Sequence, residues 1–349
     1  MGTTAKRRIG MPIAVSMGDP AGIGLEICLK AWAERGVRNL PPFVLFADPN
    51  TLTQRIRLMG LTATPQIIGS LSEAVDVFTS ALPVRPVSLA APVTPGVPNP
   101  ANAAAVIAAI EQATAAVIGG EAVALVTNPI AKSVLASSGF AYRGHTEFLA
   151  ALAQRHFVEQ RFRPVMMLAS EELRVVPLTI HIPLADVPKA VTREAIMDTA
   201  RITFEALKRD FVIAAPRVVV TGLNPHGGEE GTMGDEERNV IAPAIAELRR
   251  EGFSLTGPHP ADTLFHSGVR GSYDAVIAMY HDQALIPFKT IAFDRGVNVT
   301  LGLPFVRTSP DHGTAFDIAA QACASPQSFI ESLRLAAQFA TARAAAAPG

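Results

Sequence analysis

Short β-branched runs alternate with alanine-rich helical patterns along almost the whole chain, and this alternation limits the possible folds most. The runs are continuously apolar, as in strands that are buried on both faces of a parallel sheet covered by helices. The predicted strands are Ile13–Met17, Phe43–Ala47, Ala122–Thr127, Val165–Ala169, Val175–Ile180, Arg217–Thr221, Ala275–Met279 and Val297–Thr300. The predicted helices are Gly24–Arg35, Ala101–Ile118, Thr146–Arg155, Thr192–Arg209, Asp235–Glu251 and Ser325–Arg343. The sequence therefore predicts an α/β fold with mostly parallel sheets.

The chain has 349 residues, which is enough for one large or two ordinary domains. The proline-rich stretch Pro83–Pro100 is predicted to be an extended connection rather than a helix. We expect two α/β lobes, with the chain crossing between them near residues 140 and 300. Residues 1–140 with 300–349 would form the first lobe, and residues 141–299 the second.

Composition and charge exclude several classes of protein. The chain is 49% hydrophobic, with a net charge of −1 and a mean hydropathy of +0.27, so no global basic field favours nucleic acid or anionic lipid. No run reaches the ~18 uninterrupted apolar residues that a membrane helix requires. The apolar run after the basic N-terminus is too short for a signal peptide, which favours a cytoplasmic protein. Cys28 and Cys323 lack metal or redox spacing and are predicted to be inert core residues.

Three histidines each follow a predicted strand: His181, His226 and His281. Ligands of open α/β sheets bind beyond the carboxyl ends of the strands, and three imidazoles suit a catalytic divalent metal with open positions for water or substrate. The alternative is that each is an ordinary hydrogen-bonded loop histidine. The remaining candidates are rivals on pattern alone: His156, His259, His266 and His312.

Isolated polar and cationic residues follow His281 in an apolar context. They are Lys289, Arg295, Asn298 and Arg307. Charges on a solvated face cluster and alternate, whereas these are widely spaced, which indicates a site for a small anion.

Three loops have both a structural and a functional interpretation. Gly18–Gly24 joins a strand to a helix and is either a tight turn or a phosphate-binding loop. In Gly144–Glu147, Thr146 is a candidate N-cap, while His145 and the helix start could hold a carboxylate or phosphate. Asp262, between apolar residues, is either a cap or an active-site acid or base.

Taken together, these segments resemble the 4-hydroxythreonine-4-phosphate dehydrogenase family of the vitamin B6 pathway. The matching motifs lie in order between residues 17 and 319, so the resemblance spans nearly the whole chain. They are MGDPAGIG, VTNPIAKS, GHTEFLA, GLNPHGGEEGTMGDEE, GPHPADTLF, YDAVIAMYHDQ and GVNVTLGLPFVRTSPDHGTAFDIA.

The resemblance implies an isocitrate/isopropylmalate dehydrogenase-like fold, with two lobes around a cleft and NAD or NADP as the oxidant. It implies a divalent metal such as Zn, Mg or Co, held in the second lobe by His181, His226 and His281 and shared across a homodimer interface. The implied substrate contacts are His145, Thr146, Lys289, Asn298 and Arg307. Neither nucleic acid nor membrane is an expected partner.

The expected substrate is a small phosphorylated hydroxy acid. 4-Hydroxy-L-threonine 4-phosphate would be oxidised to a β-keto acid that decarboxylates to 3-amino-2-oxopropyl phosphate. The proton acceptor stays open among Asp262, Lys289 and a metal-bound water. The alternatives are a dehydrogenase of D-erythronate or D-threonate 4-phosphate, a non-enzymatic metal-containing phosphometabolite-binding protein, and a metal-dependent hydrolase or aldolase.

Overall fold

The structure is a computed structural model and describes residues 10–142 and 144–346; the basic N-terminal residues 1–9 lie outside this description. The described residues form two compact units. One contains the chain up to Pro164 together with the chain from Leu303, and the other is Val165–Gly302. The sequence had placed these crossings near residues 140 and 300.

The first unit contains a parallel sheet. Its strands are β1 (Ile13–Ser16), β2 (Phe43–Ala47), β3 (Pro65–Ile67), β4 (Leu82–Pro86), β5 (Leu125–Thr127) and β12 (Arg307–Pro310). They are ordered β3-β4-β2-β1-β5-β12, and every neighbouring pair is parallel. The helices are α1 (Gly24–Ala33), α2 (Pro49–Met59), α3 (Ala74–Val77), α4 (Ala103–Ile118), α5 (Lys132–Ser137), α6 (His145–His156) and α12 (Gln327–Ala346). Two 3₁₀ helices, Leu71–Glu73 and Pro100–Asn102, complete this unit's described helices.

The most apolar helix of the first unit packs against the sheet of that unit. Among the described residues, Pro100–Ile118 is the one helical stretch that is long and apolar enough to cross a membrane by composition alone. Its helix α4 instead contacts β1, β2 and β5 and buries more than half of its residues, so it is a core helix. Phe43 on β2 packs edge-to-face against Phe78 and Phe329, which fixes helices on this sheet.

The second unit contains a mixed sheet. Its strands are β6 (Val165–Ala169), β7 (Arg174–Pro177), β8 (Val218–Thr221), β9 (Leu255–His259), β10 (Ala275–Ala278) and β11 (Val297–Leu301). They are ordered β11-β6-β7-β10-β8-β9, and β6 is antiparallel to both neighbours while the other pairs are parallel. The helices are α7 (Val187–Ala190), α8 (Arg193–Arg209), α9 (Ala242–Arg250), α10 (Ser267–Arg270) and α11 (His281–Ala292). Shorter turns are the 3₁₀ helices Leu184–Asp186, Pro225–Gly231 and Ala261–Thr263 and the π-helical turn Glu237–Ile241.

The α/β class and the mostly parallel pairing confirm the prediction from the sequence. Four strands and several helices were missed. β4 was missed because its two prolines indicated an extended connection. β12 was missed because its sequence Arg-Thr-Ser-Pro lacks the apolar residues that the other buried strands have. α11 was missed because His281 was read as a loop residue and Pro287 interrupts the helical pattern. The buried-cysteine prediction holds for Cys28 and is wrong for Cys323, which is exposed.

Candidate functional site

Four candidate residues follow the same edge of the second unit's sheet. The strands β7, β10, β8 and β9 are adjacent and parallel, so their carboxyl ends lie along one edge. His181 follows β7, His281 follows β10, His226 follows β8 and Asp262 follows β9. This is the edge at which ligands of open α/β sheets bind.

His181 and His281 lie beside each other, with ring centroids 5.6 Å apart. Nitrogen–metal bonds of 2.0–2.1 Å would place two imidazole rings on one ion with centroids roughly 5–6 Å apart. Both rings line a cleft of about 300 Å³ that also includes Tyr280 and Leu184. His281 Nδ1 lies 2.7 Å from the carboxylate Oδ1 of Asp282, the kind of contact that leaves Nε2 available to a metal. These two imidazoles therefore fit a divalent ion.

The loop that carries His226 is a left-handed turn. Five consecutive residues from His226 to Glu230 have φ between 43° and 78°, and three of them are not glycine. Such a backbone persists only when its surroundings hold it. The Glu237 carboxylate does so, because Oε1 accepts hydrogen bonds from the N–H groups of Leu223 and Asn224 at 2.7 Å each.

The Glu237 carboxylate also explains why position 228 of this loop is a glycine. Oε2 of Glu237 accepts from Asn224 Nδ2 at 2.9 Å, and a Cβ added at Gly228 would lie 2.6 Å from that oxygen. Burial alone raises the pKa of Glu237, but the hydrogen bonds from Asn224 and Leu223 outweigh it and hold the pKa below its ordinary value of 4.5. Glu237 is therefore an ionised anchor under the His226 turn.

No three His, Cys, Asp or Glu side chains converge on one point within the residues that the structure describes. His226 is exposed on its turn, whereas His181 and His281 already share a cleft. Of the rivals, His259 contacts Thr256 at 2.9 Å at the end of β9, and His156 packs against the neighbouring Phe157 ring.

Lys289 and Asn298 lie apart from this edge. Lys289 is eight residues into α11, about 12 Å along the helix axis from His281, with its ammonium 5.3 Å from the Phe293 ring centre. Asn298 is paired with Leu168, which is paired in turn with Val175, so it lies level with the beginning of β7.

Arg295, also singled out in the sequence, is exposed. It forms a surface ion pair with Glu172 at 2.6 Å. Such exposed pairs are ordinary surface features and do not indicate an anion site.

Arg307 is a buried cation of the first unit. It begins β12, is 4% exposed, and donates from Nη2 to Thr127 Oγ1 at 2.6 Å. Burial lowers the pKa of its guanidinium to about 9, so Arg307 stays charged at neutral pH. A buried guanidinium is a strong hydrogen-bond donor to an anion such as a phosphate or carboxylate.

His145 and Lys132 lie near Arg307, since the charges of Arg307 and Lys132 both act on the His145 imidazole. Burial, followed by the charges of Arg307 and Lys132, lowers the pKa of His145 well below its usual value of 6.5, so its imidazole is neutral. Its buried Nε2 has no hydrogen-bond partner among the described residues. The Lys132 ammonium would lie 3.8 Å from a Cβ at Gly144, the residue that precedes α6.

The helix α6 begins at His145, so the prediction that Thr146 is its N-cap is wrong. Gly144 occupies the cap position and offers no side chain to the first turn. Thr146 is half-buried within that turn, next to His145. Backbone N–H groups at such a helix start favour an anion.

The Gly18–Gly24 loop has a structural role. A Cβ at Gly18 would lie 2.5 Å from Pro129 O, and one at Gly22 would lie 2.8 Å from Thr314 O. Asp19 Oδ1 accepts from Ala21 N at 2.9 Å and closes the turn. The loop glycines therefore allow close packing of the chain against itself.

Asp262 is exposed in the 3₁₀ helix that follows β9. That helix contacts the turn carrying His226, since a Cβ at Gly227 would lie 3.8 Å from Pro260 Cδ. Asp262 is therefore the candidate proton acceptor that lies nearer the histidine edge, and Lys289 is the more distant one.

Sequence reasoning missed Lys132 and Glu237. Lys132 lies within the VTNPIAKS motif, three residues after Pro129, and a cation shortly after a strand end was the available signal. Glu237 is the third acid in the run Asp235-Glu236-Glu237 at the start of a predicted helix, where acids ordinarily complement the helix dipole. Nothing in the local pattern distinguishes it from Asp235 and Glu236, because its role depends on the fold of a loop 13 residues away.

Comparisons with known proteins identify the relatives of this chain. The family described as "Pyridoxal phosphate biosynthetic protein PdxA" matches residues 39–336. A protein of Methylorubrum populi named 4-hydroxythreonine-4-phosphate dehydrogenase is 56% identical over 331 residues, which are 94% of each chain. The crystal structure of 4-hydroxythreonine-4-phosphate dehydrogenase from Klebsiella pneumoniae is 38% identical, with a TM-score of 0.83, and the match covers 95% of this chain and 99% of that one.

A more distant neighbour carries the name of a different enzyme. The terephthalate 1,2-cis-dihydrodioldehydrogenase from Burkholderia xenovorans LB400 is 27% identical, with a TM-score of 0.61, covering 94% of this chain and 98% of that one. The family match and the 56% identity over nearly the full length of both chains decide the assignment. This chain belongs to the PdxA family of pyridoxal phosphate biosynthetic proteins.

Proposed function

We propose that the protein is an NAD(P)-dependent, divalent-metal-dependent dehydrogenase that converts 4-hydroxy-L-threonine 4-phosphate to 3-amino-2-oxopropyl phosphate and CO2 in pyridoxal phosphate biosynthesis. The observation that supports this most is the row of His181, His281 and His226 at the carboxyl ends of adjacent parallel strands. It occurs in a chain whose close relatives carry the name of this dehydrogenase. The cytoplasm is the proposed location.

The three histidines would hold the metal, and His181 and His281 already have the separation that one ion needs. A bound divalent ion such as Zn, Mg or Co would polarise the substrate hydroxyl and the later carbonyl as a Lewis acid. Asp282 would orient the imidazole of His281 through the 2.7 Å contact at Nδ1. The left-handed turn anchored by Glu237 would present His226.

Cations recognise the two negatively charged ends of the substrate. Arg307, Lys132 and neutral His145 lie beside the start of α6, and their two cations and the helix start suit the phosphate dianion. Thr146 would add a hydroxyl to this site. Lys289 and Asn298 would bind the carboxylate end.

The chemical step moves a hydride and a proton. The C3–H bond of the substrate breaks, and its electron pair leaves as hydride to the nicotinamide of NAD or NADP. The C3 hydroxyl loses its proton to Asp262, and C3 becomes a carbonyl. The resulting β-keto acid breaks its bond to the carboxylate, which leaves as CO2, and the electron pair passes into the adjacent carbonyl as an enolate. A proton from water added at C2 of this enolate gives 3-amino-2-oxopropyl phosphate.

The proposed assembly is a homodimer with sites shared between subunits. Pairing of β7 with β10 continues to Leu178, so the histidines lie beyond that level, whereas Asn298 lies level with Val175. The histidines and Asn298 are therefore separated by three to four residues along the strand direction, which is about 10–13 Å. They are also separated across the sheet, because β7 and β11 are two strand spacings apart, which is about another 10 Å. One small substrate would not span both groups within a single second unit, so contacts from two subunits are favoured.

Exposed apolar side chains near the histidines also favour a dimer through this edge. Leu184 is 68% exposed, three residues after His181, and Ile286 is 64% exposed, five residues after His281. Met233, in the segment after the His226 turn, is also exposed. Covering such side chains is a common role of symmetric interfaces.

A steady-state screen tests the substrate assignment. The purified protein is loaded with each of the three candidate metals and given each four-carbon phosphate with NAD and with NADP, and absorbance is followed at 340 nm. We expect the highest kcat/KM with 4-hydroxy-L-threonine 4-phosphate. A higher value for D-erythronate or D-threonate 4-phosphate would contradict the substrate and retain the reaction class, while no absorbance change with any substrate would contradict the dehydrogenase.

A further inference from the structure

The side chain of Gln283 has three hydrogen bonds of nearly ideal length. Its Oε1 accepts from Thr221 Oγ1 and from Met279 N, each at 2.7 Å. Its Nε2 donates to Gly222 O at 2.8 Å. A half-buried amide that is bonded this completely is held in one rotamer and holds its partners in turn.

The partners of Gln283 are the ends of two neighbouring strands. Thr221 is the last residue of β8, and Met279 directly follows β10. Backbone pairing between these strands ends at Val220 and Ile277. Gln283 therefore continues the connection between the two chains beyond the point where the ladder stops.

Both tied ends lead directly to candidate metal ligands. The chain runs four residues from Gly222 to His226 and two residues from Met279 to His281. A third contact extends the arrangement, because Thr179 Oγ1 donates to Met279 O at 2.8 Å, two residues before His181. The three strand ends are thus joined around Met279.

We infer that Gln283 is a positioning residue that holds the strand ends carrying His226 and His281 in place and so determines the affinity of the metal sites to which these histidines contribute. The inference rests on the proposed divalent metal. Ligand nitrogens must lie within a few tenths of an ångström of their bonding distances, so loosening the backbone on which they stand costs affinity. Loss of residues that orient metal ligands typically lowers affinity 10–100-fold.

The chemistry of the position requires an amide. Two donors, Thr221 Oγ1 and Met279 N, need an acceptor, while Gly222 O needs a donor. Gln283→Glu keeps the acceptor but places a carboxylate oxygen against a carbonyl oxygen. Gln283→Leu removes all three bonds, and Thr221→Val removes one. Metal affinity should therefore fall most for Gln283→Leu and Gln283→Glu and least for Thr221→Val.

The test is titration of the metal-free protein with Co²⁺ alone, followed by its visible absorption, which reports both affinity and ligand geometry. The matched control is Gln327→Leu, a glutamine on α12 whose amide donates to Glu331 in the same helix. We expect 10–100-fold weaker Co²⁺ binding and an altered spectrum for Gln283→Leu, with wild-type behaviour in the control. Far-ultraviolet circular dichroism verifies that each variant is folded.

Three outcomes separate the inference from the proposed metal site. Wild-type protein that binds no Co²⁺ would contradict the metal proposal and the inference that rests on it. If the wild-type protein binds Co²⁺ and Gln283→Leu binds it with an affinity within twofold of wild type and an unchanged spectrum, the inference alone is overturned. If Gln283→Leu does not fold, Gln283→Glu and Thr221→Val decide. The inference requires weakened Co²⁺ binding in both, and unchanged affinity in either variant overturns it.

Discussion

The guanidinium of Arg307 lies against the hydroxyl of Thr127, with Nη2 to Oγ1 at 2.6 Å and Nε to Oγ1 at 3.2 Å. Thr127 ends β5 and Arg307 begins β12, so two neighbouring parallel strands fix the orientation of this buried cation. A charge held in place before the substrate arrives loses little conformational entropy on binding, and this preorganisation strengthens its contact with an anion.

We expect Arg307→Ala to raise the KM for the phosphorylated substrate about 10–100-fold. Hydrogen bonds to charged groups contribute roughly 1.5–3 kcal/mol, and about 1.4 kcal/mol corresponds to a tenfold change. Arg307→Lys should also be impaired, because an ammonium cannot reproduce the planar fork of a guanidinium. Steady-state kinetics measure both. The control is Arg295→Ala, which breaks an exposed ion pair with Glu172 and should leave KM unchanged. An unchanged KM in Arg307→Ala would contradict the proposal that Arg307 binds the substrate.

Lys132→Ala should weaken inhibition by inorganic phosphate and raise the pKa of His145. The Lys132 charge lowers that pKa, so removing the charge lets it rise toward its ordinary value. Phosphate inhibition measures the first effect, and nuclear magnetic resonance titration of the imidazole measures the second. Lys208→Ala, which removes an exposed lysine at the end of α8, should change neither quantity. Unaltered phosphate inhibition in Lys132→Ala would remove this residue from the anion site.

Glu237→Gln should destabilise the protein in a pH-dependent way. The folded-state pKa of Glu237 lies below its ordinary value of 4.5, so the carboxylate contributes stability that is fully present above that value. That contribution is lost as the pH falls through the folded-state pKa. Removing the charge should therefore lower the free energy of unfolding by about 1.5–3 kcal/mol near pH 7 and by progressively less below pH 4.5.

Urea unfolding across this pH range measures the difference between wild type and Glu237→Gln. Glu171→Gln serves as the control because Glu171 is exposed in the turn between β6 and β7. A wild-type-minus-variant difference that stays constant from neutral to acidic pH would show that the ionised carboxylate does not anchor the His226 turn.

Subunit mixing tests the shared metal site. Inactive His181→Ala, His226→Ala and His281→Ala dimers are mixed in the three pairwise combinations and allowed to exchange subunits. If one subunit supplies one ligand and its partner supplies two, two of the three pairings regain a complete site and the third does not. Random exchange makes about half of the dimers mixed, with one intact site each, so activity should approach roughly a quarter of wild type. No recovery in any pairing, with exchange verified by mass labels, would mean that one chain supplies all three ligands.

Periodicity and composition were sufficient for the α/β class and for the position of the histidines after strands. Apolar strands such as Val218–Thr221 carry their own signal, because burial on both faces requires continuous apolar residues. Strands whose pairing depends on tertiary context were not predictable. Arg307–Pro310 is one, since its arginine is buried beside Thr127, which is distant in the sequence.

The positioning residues were hidden for the same reason. Glu237 and Gln283 act on segments 13 and 61–62 residues away along the chain, so their roles depend on contacts that only the folded chain makes. His145 was singled out for its place at a helix start, but its neutral state depends on burial and on Arg307, which is distant in sequence. Local patterns identify which residues can do chemistry, and tertiary contacts decide how they are held.

The most direct test of the account is to measure CO2 release alongside NAD(P)H formation with 4-hydroxy-L-threonine 4-phosphate and the metal-loaded protein. The account predicts that one CO2 is released for each NAD(P)H formed, and that neither appears with His281→Ala. Formation of NAD(P)H without CO2 would contradict the oxidative decarboxylation, and the absence of both products from the wild-type protein would contradict the proposed function itself.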